Sequence, residues 1–324
     1  MAGEFDWIAR VRERAALSSS VIRGIGDDAA IVRPAPDCDL VISTDTLVAG
    51  VHFPLDTAPA DVGYKTAAVN LSDLAAMGAD PLYATLALSI PSLDPGYVDP
   101  LMTALLGALK AHGACLIGGD TTRGPLVLTL TVVGSVPQDG ALRRDRAQAG
   151  DAVYVSGTLG DAAAALHARG RWRDTSSGER RLARNRLEQR LARPTPRTEL
   201  GRELRGLASA CIDVSDGLCA DLGHLCRESG LAAVIDPALL PCSRALLTLV
   251  EDPAELRRLQ MAGDDYELCF SVAPEREPDL AALAARIHVP LTRIGTLGPG
   301  EGVHLLDDDG RLHAPPGAAY EHFL

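Results

Sequence analysis

Residues 115 to 136 read CLIGGDTTRGPLVLTLTVVGSV. The stretch opens on a short buried strand, Cys115 to Ile117, and closes on a longer one, Leu126 to Val136, in which apolar residues alternate with period two. Between them Gly118, Gly119 and Gly124 bracket Asp120 in a segment that reads as a turn, where backbone without a Cβ can approach a ligand closely. Upstream, Asp39 to Thr44 is a short apolar strand with Asp45 at its end. Asp61 to Met77 reads as a helix stopped by Gly78, with Asp61 able to pair with Lys65 at i, i+4. Tyr83 to Ile90 is strand-like and Val98 to His112 helix-like, so the first half of the chain has an α+β pattern.

The pattern restarts after Ala147-Gln-Ala-Gly-Asp151, which places a boundary between domains spanning 1–148 and 149–324. A chain of 324 residues with 47% apolar content is long enough for two cores. In the second domain, strands at Ala152 to Ser156, Ala210 to Val214, Ala232 to Ile235, Glu267 to Val272 and Leu291 to Ile294 alternate with helices. The helices are expected from about Gly160, near Arg180 to Leu191, near Glu199 to Leu207, from Gly217, near Ala254 to Met261 and near Leu280 to Ile287, which is α/β alternation. Residues 169–181 are polar and read as a surface excursion.

Charge and motif content exclude several classes. The formal charge is −12, and only Lys65 and Lys110 among the 31 basic residues are lysines. Neither lysine follows a glycine, so there is no phosphate loop of the Gly-x-x-x-x-Gly-Lys type, and the protein-kinase motifs are missing too. An acidic chain without a basic aromatic patch is no nucleic-acid binder. No apolar run is long enough to span a bilayer and the start carries no secretory pattern, so the protein is expected to be soluble and cytoplasmic, with no membrane partner. The seven cysteines form no Cys-x-x-Cys pair and read as reduced core residues.

Five aspartate clusters remain: Gly-Ile-Gly-Asp-Asp at 24–28, Ser-Thr-Asp at 43–45, Asn-Leu-Ser-Asp at 70–73, Gly-Gly-Asp at 118–120 and Asp-Val-Ser-Asp at 213–216. Each sets a carboxylate beside Gly, Ser, Thr or Asn, the hard-oxygen chemistry that Mg2+ takes when it is shared between protein and phosphate. Taken singly, each cluster also fits turn or cap chemistry, and Asn70 with Asp73 also fits a solvated helix face.

In order and wording these clusters resemble the thiamine-monophosphate kinases, in the superfamily that includes aminoimidazole ribonucleotide synthetase, selenophosphate synthetase and a hydrogenase-maturation protein. The resemblance spans nearly the whole chain and adds Gly-Glu-Phe at 3–5, Val-Ala-Gly at 48–50, His-Phe at 52–53, Leu-Ala-Ala-Met-Gly-Ala at 74–79, Thr-Thr-Arg-Gly-Pro at 121–125 and Asp-Asp-Tyr-Glu-Leu at 264–268. It implies transfer of the γ-phosphoryl group of ATP to thiamine monophosphate, giving thiamine diphosphate and ADP. It also implies several Mg2+ ions held by Asp28, Ser43, Thr44, Asp45, Asp73, Asp120, Asp213 and Asp216 from both domains. Gly119, Asp120, Arg144 and Ser215 are expected at ATP, and His52, Asp264 and Tyr320 at the thiamine phosphate. The family further implies a homodimer in which first-domain mixed sheets join, with the second, α/β domain completing the site. Asp264 departs from the glutamate the family commonly has there, with Asp265 next to it as a second carboxylate. The other readings of the same clusters are a different ATP-dependent phosphate-activating enzyme of the superfamily and a non-catalytic nucleotide- or metal-binding module.

Overall fold

The computed structural model describes residues 4–26, 28–167 and 178–315. The chain divides into two compact units, one of residues 1–74 and 79–141, the other of residues 75–78 and 142–324.

The first unit is a four-stranded mixed sheet with two long helices on one face. Its strands are β3 (Cys38–Val48), β4 (Asp80–Ile90), β5 (Cys115–Arg123) and β6 (Val127–Pro137), in the order β3-β6-β4-β5. Only the β4–β5 pair is parallel, and the helix between those strands, α3 (Pro95–Ala111), is the crossover that a parallel pair requires. Alternation along β6 fixes which face is buried. Leu128, Leu130 and Val132 are fully buried, while Thr129, Thr131 and Val133 between them are partly exposed. The buried face packs Leu71 and Leu74 of α2 (Pro59–Ala76) and Leu101 and Leu105 of α3, each contributing about 2 kcal/mol by leaving water. The other face stays open, with Leu40 and Ile42 of β3 at 45% and 65% exposure. α1 (Glu4–Arg14) and a small hairpin, β1 (Val21–Arg23) with β2 (Ile31–Val32), precede the sheet, and Val21 and Val32 pack on Tyr83 and Ile117.

Two strands run further than sequence periodicity suggests. β3 continues to Val48, because all eleven of its residues pair with β6, from Cys38 opposite Pro137 to Val48 opposite Val127. Asp45 therefore sits inside a strand and not at its end. β5 likewise continues through Gly118, Gly119 and Asp120 to Arg123, so those residues belong to a ladder and the turn begins only at Gly124.

The second unit is a seven-stranded sheet in the order β13-β12-β9-β11-β7-β10-β8, flanked by helices. Its strands are β7 (Ala152–Ser156), β8 (Ala210–Asp213), β9 (Ala232–Ile235), β10 (Leu268–Val272), β11 (Leu291–Gly298), β12 (Gly302–Leu306) and β13 (Leu312–His313). Only β9 and β12 pair in parallel. The helices are α4 (Asp161–His167), α5 (Gly178–Ala192), α6 (Thr198–Leu204), α7 (Leu218–Ser229), α8 (Arg244–Leu249), α9 (Pro253–Gln260) and α10 (Glu277–Ile287). Val153, Val155, Ile212, Leu222, Leu225 and Ile294 form one core cluster; Phe270, Leu200, Leu204 and Leu280 belong to another. Of the polar excursion expected at 169–181, residues 178–181 form the first turn of α5, and 168–177 lie outside the described residues. All seven cysteines are free thiols; Cys115, Cys211, Cys226 and Cys269 are buried.

Candidate active site

In the first unit the helix α2 lies against β3 and fixes its polar residues. Ser43 donates from Oγ to Asp73 Oδ2 at 2.5 Å, and the Asp45 N–H donates to Asn70 Oδ1 at 3.0 Å. Asn70 is fully buried and donates in turn from Nδ2 to the Thr66 carbonyl at 2.9 Å. The i, i+3 pair Asn70 and Asp73 is thus a bracket for β3 and not a solvated face. Its cause is a ladder amide that must be paired once buried. Thr44 belongs to the opposite face, where its hydroxyl meets that of Thr131 at 2.9 Å.

Asp120 stands at the far edge of the sheet. The row Asp45, Leu130, Leu86, Gly119 crosses all four strands, so Asp45 and the neighbour of Asp120 are three strand spacings apart, about 14 Å on a flat sheet. These two carboxylates cannot ligate one ion within one sheet, and they suit a site with several. Gly119 is required where it stands, since a Cβ there would lie 2.0 Å from the Leu86 carbonyl oxygen. Gly24 lies by this edge, next to Leu17 and close to the Ile117 carbonyl, and Asp28 is exposed.

His52 lies in the turn that follows β3. Its Nδ1 accepts from the Val48 N–H at 3.0 Å, which places the proton of the neutral ring on Nε2. The bond runs opposite to the histidine-to-carbonyl arrangement common at strand ends.

In the second unit two motifs close on each other. The Asp213-Val-Ser-Asp-Gly217 loop links β8 to α7, and residues 263–267 run antiparallel beside it: Asp264 N–H to Ser215 carbonyl at 2.8 Å, Tyr266 N–H to Val214 carbonyl at 2.9 Å, Val214 N–H to Glu267 carbonyl at 2.8 Å. A Cβ on Gly263 would sit 2.0 Å from the Ser215 carbonyl oxygen, so only glycine admits this approach. The result places Asp213, Ser215, Asp216 and Asp264 within one short stretch of structure. Arg144 joins them, since the turn at Arg144–Arg146 packs on α7 and β8, its carbonyl accepting from Ser229 Oγ at 2.6 Å.

Asp221, which sequence reasoning overlooked, organises the 213–217 loop. Its Oδ2 accepts from the N–H groups of Ser215, Asp216 and Gly217 at 2.9, 3.0 and 3.2 Å. The start of α7 thus carries its own carboxylate, as in a capping box that reaches back from one residue deeper in the helix. These three N–H groups are committed within the fold. Burial, and next the charge of Asp216, push the Asp221 carboxyl up to about 7 despite the three donors.

Asp264 sits at φ +73, a left-handed conformation that aspartate enters more readily than glutamate. The shorter acid at this position therefore matches its backbone. Asp265 is 1% exposed, with Oδ2 accepting from the Gly160 N–H at 2.8 Å, so it faces the interior and is no substitute for Asp264. Tyr320 lies outside the described residues.

Among the described residues no three Asp, Glu, His or Cys side chains converge into a metal cage. The donors present are carboxylates and hydroxyls in ones and twos, Ser43 with Asp73 and Asp213 near Asp216. That set fits Mg2+, which keeps several waters and takes one or two carboxylates plus phosphate oxygens.

Comparison with known proteins covers both units. Residues 26–136 match the family model of the AIR synthase related protein N-terminal domain, and residues 148–308 match its C-terminal domain. The chain is 44% identical over 323 residues to the thiamine-monophosphate kinase of Salmonella typhimurium, covering 99% of this chain and 98% of the relative. It is 29–46% identical to several solved relatives. The crystal structure of thiamine-monophosphate kinase from Stenotrophomonas maltophilia superposes with a TM-score of 0.88 at 46% identity, over 96% of this chain and 98% of the other. A structure described as AaThiL complexed with AMPPCP and TMP superposes at 0.77 with 31% identity, over 99% and 97%. The hydrogenase-maturation protein HypE of E. coli, at 20% identity and a TM-score of 0.75, shares the fold. No helix among the described residues is long and apolar enough to cross a membrane. With both halves of the family model matched and full-length relatives at 44% identity, the chain belongs to the AIR synthase related family and, within it, to the thiamine-monophosphate kinases.

Proposed function

We propose that this chain phosphorylates thiamine monophosphate with ATP, giving thiamine diphosphate and ADP. The observation that carries the reading is full-length similarity to thiamine-monophosphate kinases together with a superposable relative described as holding AMPPCP and TMP. Asp28, Ser43, Asp45, Asp73 and Asp120 of the first unit and Asp213 and Asp216 of the second would hold Mg2+, whereas the Thr44 hydroxyl, turned to the other face and paired with Thr131, does not join Ser43 and Asp45. Gly119, Asp120, Arg144 and Ser215 serve the triphosphate, with Arg144 the cation suited to phosphate oxygens. His52, Asp264 and Tyr320 hold the acceptor.

Bound Mg2+ supplies charge neutralisation between two phosphate groups that otherwise repel. The protein's part is positioning. The absence of a Cβ at Gly119 lets β5 close on β4 beside Asp120, the α2 bracket holds Ser43 and Asp45 in place, and the Asp221 cap fixes the backbone of Ser215 and Asp216. An acceptor phosphate is anionic near neutral pH, so in-line transfer needs no protein nucleophile and no general base. Incubating the purified protein with ATP, Mg2+ and thiamine monophosphate should yield thiamine diphosphate by chromatography, and no product under saturating conditions would refute the assignment.

The same reading makes the protein a homodimer joined through first-unit sheets. The open face of that sheet, with Leu40 and Ile42 exposed beside rows of threonine, supports it. Sedimentation should give twice the 34.0 kDa chain mass, and Ile42→Glu should shift it to the monomer; a monomeric wild type at micromolar concentration would overturn this.

A further inference from the structure

Behind Asp264 lies a buried polar cluster that the reaction as described leaves unused. Glu267, 1% exposed, accepts from Ser156 Oγ at 2.6 Å, Arg190 Nη2 at 2.9 Å, and Arg197 Nε and Nη2 at 2.6 Å each. Asp265 accepts from the Gly160 N–H through Oδ2, while its Oδ1 is buried with no hydrogen-bond partner. Arg190 also donates to the Asp265 carbonyl at 3.3 Å. Asp161, 2% exposed, closes the cluster, accepting from Ser243 Oγ at 2.6 Å with Arg190 Nε at 4.0 Å.

The backbone above this cluster is strained on both sides of Asp265. Asp264 has φ +73 and Tyr266 φ +51, two left-handed residues that are not glycine. Such conformations persist only where the surroundings over-determine them, and tyrosine gains nothing locally from being there. Asp265 and Glu267 are buried, whereas Asp264 and Tyr266 are only partly so. The inward pair is tied to the turn between β7 and α4 (Ser156, Gly160) and to two arginines from α5 and the start of α6.

We propose that Asp265 and Glu267 are positioning residues for the phosphoryl acceptor: anchored on Gly160, Ser156, Arg190 and Arg197, they force the left-handed backbone that presents Asp264 and Tyr266. The inference rests on the reading that Asp264 holds thiamine monophosphate. Burial holds the Asp265 carboxyl far above the usual carboxylate range, beyond the opposing effects of the Gly160 N–H and Arg190. An amide has nearly the shape of the carboxyl and keeps an oxygen for the Gly160 N–H, so asparagine is the conservative replacement.

The test compares Asp265→Leu, Asp265→Asn and Asp264→Ala by steady-state kinetics, with thermal melts to establish folding. Asp265→Leu should raise KM for thiamine monophosphate by about 100-fold, the penalty of a site displaced by about 1 Å, while KM for ATP stays within about twofold. Asp265→Asn should restore KM to within about threefold of wild type, because it keeps the acceptor for Gly160. A folded Asp265→Leu with unchanged KM for thiamine monophosphate, or with equal rises for both substrates, overturns the positioning role while leaving the acceptor reading intact. An Asp264→Ala variant with unchanged KM overturns the acceptor reading and the positioning role with it. Where Asp265→Leu does not fold, Glu267→Gln, which keeps shape and loses the charge facing two arginines, decides by the same selective rise or its absence.

Discussion

The two units hold their carboxylates in opposite ways. In the first, Asp28 and Asp120 are exposed, and Asp45 and Asp73 partly so, spread along a loop, two strands and a helix, with about 14 Å across the sheet between its two edges. In the second, Asp161, Asp213, Asp221, Asp265 and Glu267 are all 4% exposed or less. Burial of a carboxylate is tolerated only with donors in place, and hydroxyls, backbone N–H groups and guanidiniums supply them at Asp161, Asp221, Asp265 and Glu267. The difference separates two kinds of acid in one chain. Exposed acids keep contact with water and respond to charge that arrives with a ligand, whereas Asp161, Asp221, Asp265 and Glu267 are engaged by hydroxyls, backbone N–H groups or guanidiniums before any ligand arrives.

The sharpest way to break that distinction is Asp120→Asn. Because Asp120 is exposed in a ladder and carries no core contact, the variant should melt like wild type and still bind thiamine monophosphate. Turnover should nevertheless fall by about 10³-fold, the scale on which one electrostatic partner of a transferring group counts. Near-normal turnover in saturating Mg2+ would remove Asp120 from the metal set.

Much of this was legible from residues alone. The helix expected over 61–77 is α2 at Pro59–Ala76, and Gly78 with φ +66 ends it as expected. The strands expected at 152–156, 232–235 and 210–214 fall within a residue of β7, β9 and β8. What failed was strand length in the first unit. Ser43-Thr-Asp45 and Gly118-Gly-Asp120 carry turn-forming residues, and local chemistry argued for strand ends. Pairing across β6 and β4 overrides it, because eleven consecutive cross-strand partners outweigh a local preference. Asp221 carries no motif, and Asp265 reads only as a second carboxylate beside Asp264, for another reason. Their roles are set by backbone N–H groups that only the fold brings to them, and a lone Asp in a helix or next to another acid leaves no signature of that kind. β1, β2, β13 and the six-residue α8 are too short to carry a clear period, whereas α1 and β12 are regular enough to show one and go unread.

Glycine sharpens the comparison at the next scale. Gly118 and Gly119 are neighbours in β5, yet a Cβ on Gly118 would stand 3.7 Å from Thr85 Cγ2, an ordinary contact, while one on Gly119 would meet the Leu86 carbonyl oxygen at 2.0 Å. Gly119→Ala should therefore cost about 3 kcal/mol in denaturant unfolding and Gly118→Ala under about 1 kcal/mol. Equal costs would mean that the sheet relaxes freely at this edge and that the close approach is not what makes glycine necessary at 119.

The smallest effect concerns pH and tests whether Asp221 is committed to backbone as argued. Its carboxyl is raised to about 7, first by burial and then by Asp216. In the unfolded chain the same group titrates near 4. The native state thus binds the proton more tightly, so the stability it contributes is complete below about pH 4 and is lost as pH rises through about 7. Between pH 5 and 6.5 the native state holds close to one more proton than the unfolded chain at this group, a slope of about 1 kcal/mol per pH unit. Asp161 and Asp265, also raised by burial, act in the same direction and remain in any Asp221 variant. The quantity to measure is therefore the difference between wild type and Asp221→Asn in urea unfolding without divalent cations, because a cation near Asp216 changes the local charge. Asparagine keeps an oxygen for the three N–H groups and removes the titration, so the variant should lose about 1 kcal/mol per pH unit of the wild-type decline from pH 5 to 6.5. Parallel pH profiles for the two proteins would show that Asp221 stays ionised throughout that range, held by its donors against the burial that opposes its charge.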